Sequence, residues 1–125
     1  MGVTLAGARV LVTGGGGFLG GALVGRLQRA RCAAVAAPAQ ADYELTREAD
    51  VERLFADHRP DVVFHLAADV GGIAYNLANP GQIFYANVVM SALVMEHARR
   101  AGVVKFVGAG SVCAYPEHAA VPFGE

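Results

Sequence analysis

The residues of this chain best placed to do chemistry are three glycines at even spacing, Gly14-x-x-Gly17-x-x-Gly20, and the chemistry they suit is the holding of an anion. An apolar run from Arg9 to Val12 precedes them and reads as a buried strand, and a helical pattern starts at Phe18, so the order is strand, glycine turn, helix. Gly14 suits the positive φ of a tight turn, Gly17 lets backbone come close to a pyrophosphate, and Gly20 lets the helix pack against the strand. The unpaired N–H groups at the helix start, together with the positive end of its dipole, then face the anion. Other reactive groups are sparse. Cys32 opens the second strand and Cys113 lies beyond the fourth; strands separated by one neighbour sit roughly 10 Å apart, beyond the about 7 Å limit for a disulfide, so both are expected as free thiols. His65 reads as a packed strand residue, since no Cys, Asp or Glu stands at metal-ligand spacing from it, and no metal site is expected.

Several elements must position the turn. Leu19, Leu23 and Leu27 recur along the first helix, which carries Arg26, Arg29 and Arg31 near its end. The second strand spans Cys32 to Ala37 and stops at Pro38. Thr46 is placed to cap a second helix, with Glu48 and Asp50 in its first turn, an apolar face of Val51, Leu54 and Phe55, and an end at His58-Arg59-Pro60. Val62 to Leu66 follows as the third strand. In the long helix after it, Asn79 is the expected cap, Pro80 the first residue and Gln82 the capping-box partner. That helix runs to Arg99-Arg100 and stops at Gly102. It is apolar on more than one side, with Asn87 and Ser91 as a narrow polar stripe; one side is expected on the sheet and the other against a partner chain or further protein. Asn87 is expected to tie the helix to neighbouring backbone, Tyr75-Asn76 either to contact a ligand or to lie in an ordinary loop, and His97 to sit at a solvated helix end. Val103 to Val107 is the fourth strand. Strands alternating with helices give an α/β fold, a Rossmann-like parallel sheet with helices on both faces, first half only, in the strand order 3-2-1-4.

Composition bounds the rest. The 125 residues suffice for one domain, and 54% hydrophobic content before the 16 glycines are counted means that much of the surface is covered. A net charge of -1 offers no basic field, which argues against nucleic acid and an anionic membrane surface as partners. No apolar run reaches the length of a membrane span, and no secretory leader pattern is visible, so a cytoplasmic location is expected.

Three stretches together carry a resemblance: Thr13-Gly14-Gly15-Gly16-Gly17-Phe18-Leu19-Gly20; His65-Leu66-Ala67-Ala68-Asp69-Val70-Gly71-Gly72-Ile73 with Asn79-Pro80; and Gly110-Ser111-Val112-Cys113-Ala114-Tyr115-Pro116. Together they resemble the GDP-L-fucose synthase-like nucleotide-sugar epimerase/reductases of the extended short-chain dehydrogenase/reductase family. The resemblance covers essentially the whole chain, whereas such enzymes run to more than twice its length, so residues 1–125 are expected to be the N-terminal part of an NAD(P)-binding domain, without the C-terminal substrate domain.

The resemblance implies roles at matching positions. Gly14, Gly17 and Gly20, with Phe18 and Leu19 between them, would hold the cofactor's pyrophosphate, Ala67 and Ala68 would let it lie over the third strand, and Glu44-Leu45 would meet its adenine end, Glu44 standing where Asp is usual. Val70, Gly71 and Gly72 fall to the substrate, a nucleotide sugar. Ser111 matches the residue that hydrogen-bonds the sugar's keto oxygen, and Cys113 the acid/base of epimerisation, a role open to a thiolate of lowered pKa beside a ketone. The implied cofactor is NADP, with NAD open, and the implied assembly is a homodimer. The implied reaction is 3,5-epimerisation of GDP-4-keto-6-deoxymannose followed by reduction at C4. Asp69 where Lys or Arg is frequent, Val112 where Ser is common and Glu117 where Lys is usual keep a second reading open, an NAD-dependent epimerase or dehydratase acting on another nucleotide sugar. The family's Tyr-x-x-x-Lys pair is absent: none of Tyr43, Tyr75, Tyr85 or Tyr115 has Lys four residues on. Losing such an acid costs on the order of 10²- to 10⁴-fold, so this chain alone is not expected to turn over, and a non-catalytic dinucleotide-binding module is the third reading.

Overall fold

Strand β1 (Arg9–Thr13) is central because its side chains alternate between two apolar surroundings: Val10 and Val12 are buried in one cluster, Leu11 in another. The structure, a computed structural model, describes residues 4–111 and 114–122. Around β1 stand α1 (Phe18–Leu27), β2 (Ala34–Ala36), α2 (Glu48–His58), β3 (Val62–His65), α3 (Ile73–Ala78), α4 (Pro80–Arg100) and β4 (Lys105–Gly108). All pairings are parallel. On one face Val10, Val12 and Val62 pack with Leu27 of α1; on the other Leu11 and Val63 pack with Val51, Leu54 and Phe55 of α2 and Val94 and Ala98 of α4. Helices therefore cover both faces, as the alternation of elements predicts.

The strand order is β2-β1-β3-β4, which corrects the expected 3-2-1-4. The third strand is not an edge beyond the second; it lies between β1 and β4. Burial gives the reason. Val62 and Val63 are sealed on opposite faces, as suits an interior strand, whereas β2 is only three residues long with Ala34 exposed. Between β2 and α2 the chain runs through turns, with Tyr43 and Leu45 packed on the α2–α4 core, and α2 returns it to the far side of β1. Two strands now separate β2 from β4, which places Cys32, a free thiol, farther from the loop after β4 than expected; Cys113 lies outside the described residues.

Four local expectations also change. Thr46 does not cap α2: the N-cap is Arg47, and the Thr46 hydroxyl donates to Glu44 Oε1 at 3.0 Å. Asn79 precedes Pro80 but makes no side-chain cap, because its Nδ2 donates to the Tyr75 carbonyl at 3.0 Å, and Gln82 reaches the Tyr75 hydroxyl at 3.5 Å. Tyr75 and Asn76 belong to α3, a short helix where a loop was expected. His97 is buried against Phe55, ring centroids 6.1 Å apart, because the last turns of α4 pack on α2. The outward side of α4 leaves Phe84, Val88 and Met95 exposed, and no helix among the described residues is long and apolar enough to cross a membrane.

Candidate functional site

The strands are parallel and their C-terminal ends lie together, where β1 and β3 open into a cleft of about 990 Å³. Gly14 takes φ +71°, which turns the chain sharply out of β1, and the N–H of Gly17, three residues on, donates back to the Gly14 carbonyl at 3.1 Å. A Cβ on Gly14 would lie 2.7 Å from the Ala67 nitrogen, and one on Gly20 would run into the Gly14 carbonyl oxygen and lie 2.7 Å from the Gly15 Cα. These two glycines thus let the β1 turn, the β3 loop and α1 close on one another. Gly17 caps α1 without a side chain, so the first N–H groups of the helix are left without a side-chain acceptor. At Gly16 a Cβ would meet no protein atom within 4 Å.

Among the residues named from sequence, Gly14, Gly17, Phe18, Leu19, Gly20, Glu44, Leu45, Ala67, Ala68 and Val70 line this one cleft. Gly71 and Gly72 follow Val70 without lining it, and Gly71 N–H donates to Asn76 Oδ1 at 3.2 Å. Ser111 is three residues past β4, beyond the lining residue Ala109, and its carbonyl accepts from Ala114 N–H at 3.0 Å. Cys113 lies outside the described residues. Sequence reasoning missed Pro38, Ala39 and Gln40 after β2, and Gln82, Ala86 and Met90 on α4. The spacing of those last three, four residues apart, puts them on one helix face and was available as a signal.

A buried hydrogen-bonded chain fixes the floor. Ala67 N–H donates to Thr13 Oγ1 at 3.3 Å, the Thr13 hydroxyl is hydrogen-bonded to His65 Nδ1 at 2.7 Å, and His65 Nε2 is hydrogen-bonded to the Ser91 hydroxyl at 3.3 Å. Burial pushes the His65 pKa below its ordinary value, in keeping with a neutral ring. His65 is therefore the packed strand residue that its sequence setting suggested. Asn87 accepts from Asp69 N–H at 2.8 Å and donates to the Asp69 carbonyl at 2.9 Å, so the polar stripe of α4 does tie the helix to backbone. The Asp69 carboxylate accepts from the Tyr75 hydroxyl at 2.9 Å, which raises the phenol's pKa. Glu44 is held below the usual carboxylate range, first by the Gln40 side chain and also by Thr46. Among the described residues no group of three or more His, Cys, Asp or Glu could hold a metal ion.

A glycine turn leading into a helix, set in a cleft at the ends of parallel strands with helices on both faces, defines the Rossmann-like class. The chain belongs to the NAD dependent epimerase/dehydratase family, whose sequence profile matches residues 10–125. It is 38% identical over 121 residues to a GDP-L-fucose synthase of Sinorhizobium fredii, covering 97% of this chain and 38% of that protein. Among solved structures it superposes with a TM-score of 0.87 on a GDP-mannoheptose C4 reductase of Campylobacter jejuni with NADP bound, at 27% identity over 98% of this chain and 38% of that one. A GDP-L-fucose synthetase of Naegleria fowleri gives a TM-score of 0.82 at 26% identity, covering 98% of this chain and 36% of that one. The chain thus spans less than two-fifths of the length of each of these relatives.

Proposed function

We propose that the cleft binds a nicotinamide dinucleotide and that the chain is the cofactor-binding part of a nucleotide-sugar epimerase/reductase of the GDP-L-fucose synthase kind. The observation that carries this reading is the turn at Gly14, Gly17 and Gly20: it leaves an uncapped helix start facing a cleft at the strand ends, which is the surrounding a pyrophosphate needs. The residues fit such a group, since Gly16 and Gly17 line the cleft with backbone alone. When bound, the cofactor supplies the hydride for reduction at C4. The chain's own residues bind and position the reactants, while the proton that the reduced oxygen takes up falls to a Tyr-x-x-x-Lys pair that these 125 residues do not contain. Gly14, Gly17 and Gly20 hold the pyrophosphate, Glu44 and Leu45 border the adenine end, and Ala67 and Ala68 leave room above β3. Val70, Gly71 and Gly72 face the sugar. Ser111 donates its hydroxyl to the keto oxygen, and Cys113 as thiolate removes the proton from the carbon beside the carbonyl and returns one from its thiol.

The reading includes a cytoplasmic homodimer joined along α4, which the exposed Phe84, Val88 and Met95 support. A second reading, an epimerase or dehydratase on another nucleotide sugar, draws on the Asp69 carboxylate bonded to Tyr75 at the cleft. The test is incubation of the full-length protein, with the C-terminal part that the relatives carry, with GDP-4-keto-6-deoxymannose and reduced cofactor, preceded by calorimetric titration with the cofactor alone. Binding followed by a GDP-6-deoxyhexose product is expected of the whole enzyme. Binding without that product refutes this substrate, and no binding refutes the dinucleotide site.

A further inference from the structure

On the β3 side of the glycine turn the cleft wall carries Asp69, Tyr75 of α3 and Gln82 of α4, side chains to which the reaction above gives no part. With adenosine past the second strand, as in sheets of this kind, that wall lies toward the reacting end of the ligands. Asp69 is fixed there twice over. Asn87 holds its N–H and carbonyl at 2.8 and 2.9 Å, and the Tyr75 hydroxyl donates to its Oδ1 at 2.9 Å. Gly71 makes room for the phenol, since a Cβ at that position would run into the Tyr75 ring and lie 2.7 Å from its Cγ. The Tyr75 hydroxyl also accepts from Gln82 Nε2 at 3.5 Å. Its proton is committed to Asp69, so what the pair has left to offer is acceptors: Asp69 Oδ2, which has no protein partner among the described residues, and a lone pair of the phenol oxygen. The ion pairs of the described residues all lie elsewhere, and no salt bridge among them competes for Oδ2.

Resting on the GDP-L-fucose synthase-like reading above, we propose that Asp69, positioned by Tyr75, is a specificity-determining residue that accepts a hydrogen bond from the C2 hydroxyl of the substrate's hexose. An acceptor pair calls for a ligand that donates, and the hexose of GDP-4-keto-6-deoxymannose carries only two hydroxyls, at C2 and C3. The reaction separates them. Epimerisation inverts C3 and C5 and reduction changes C4, whereas the C2 hydroxyl keeps its configuration throughout, as suits an acceptor whose backbone is tied on both sides. The bond holds the ring in one place while its other carbons change. Tyr75 takes no proton step, because its bond to Asp69 raises the phenol's pKa and makes it a poorer acid.

Calorimetric titration of the full-length protein with GDP, GDP-mannose and the 2-deoxy and 3-deoxy analogues of GDP-mannose tests the proposal. Loss of the C2 hydroxyl is expected to weaken binding on the order of tenfold or more, and loss of the C3 hydroxyl by less than about threefold. In Asp69→Ala the first difference should collapse, so that GDP-mannose and its 2-deoxy analogue bind within about twofold of each other. Tyr75→Phe, which keeps the ring on Gly71 and frees the carboxylate, should weaken GDP-mannose severalfold toward the 2-deoxy value while GDP alone binds as before. GDP-mannose binding with no cost for the missing C2 hydroxyl, or with a cost that persists in Asp69→Ala, overturns the proposal and leaves the nucleotide-sugar reading standing. A cost that Asp69→Ala removes from the 3-deoxy analogue instead overturns the assignment to C2, and a loss in Asp69→Ala confined to dinucleotide affinity overturns the assignment to the sugar. Binding of neither GDP nor GDP-mannose overturns the nucleotide-sugar reading and the proposal together.

Discussion

Replacing Gly14 by alanine tests the architecture of the cleft at its tightest point. Two costs combine. The φ of +71° belongs to the left-handed region, where a side chain costs about 1–2 kcal/mol. The new Cβ would also lie 2.7 Å from the Ala67 nitrogen and 2.8 Å from both the Ala67 Cα and the Leu66 carbonyl carbon. These are backbone atoms with no flexible end to swing away, so the β1 turn and the β3 loop must part by about 0.7 Å to reach ordinary contact, an overpacking worth about 1–3 kcal/mol. The expected loss is roughly 2–5 kcal/mol, a large fraction of the stability of a domain this size. Urea denaturation measures it against a control two residues away in the same turn. Gly16→Ala has no protein atom within 4 Å and no positive φ, and its unfolding free energy should stay within about 0.5 kcal/mol of the parent. In titrations the control has a separate use, since its methyl group enters the cleft and weakens dinucleotide binding without touching stability. Equal denaturation midpoints for the two variants would refute the close-approach argument.

Three further outcomes are expected. Because burial lowers the His65 pKa, the unfolded chain takes up the proton first as pH falls below about 6.5, so stability is full above that pH and declines toward the lower folded-state value, at up to about 1.4 kcal/mol per pH unit. His65→Leu should flatten that limb and cost about 1–3 kcal/mol at neutral pH by stranding Thr13 and Ser91, and parallel denaturation profiles for parent and variant would speak against the assignment. Asn87→Ala leaves both backbone groups of Asp69 without their partner and should destabilise by about 1–3 kcal/mol; thermal unfolding unchanged from the parent would deny the tie its role. Asp61, bonded to the Arg9 guanidinium and backbone N–H, is lowered to about 2. Its contribution is present above about pH 4 and is lost as pH falls through 2, so Asp61→Asn should remove acid sensitivity in that window, read from denaturation midpoints across it.

The glycine turn was legible because a local device needs only local residues: strand, turn and helix follow one another within Arg9–Leu27. So were the packed role of His65 and the backbone tie of Asn87, since a polar residue on an apolar element must find a partner. Strand order was not. It depends on which side of β1 the α2 crossover lands, and that is decided by the two-sided burial of Val62 and Val63 against the short β2, a comparison between distant segments. Helix α3 escaped notice because six residues between Gly72 and Asn79 are too few for an apolar period. At Thr46 and Asn79 the residue types were right for capping, but nearer acceptors, Glu44 and the Tyr75 carbonyl, took their hydrogen bonds. Gln40 and Glu44 sit four apart in a stretch without regular structure, where no periodicity announces a shared wall.

Thr13 and His65 are register partners at the ends of two adjacent parallel strands, and their side chains are also bonded to each other. A slip of one residue between β1 and β3 would send one of those side chains to the opposite face, stranding a hydroxyl and an imidazole in an apolar interior. The valines of the two strands discriminate such a slip poorly, because both faces of the sheet are apolar. The polar pair therefore acts as a proofreading mark for strand alignment: a mispaired sheet could bury its hydrocarbon almost as well, but it could not satisfy that one bond.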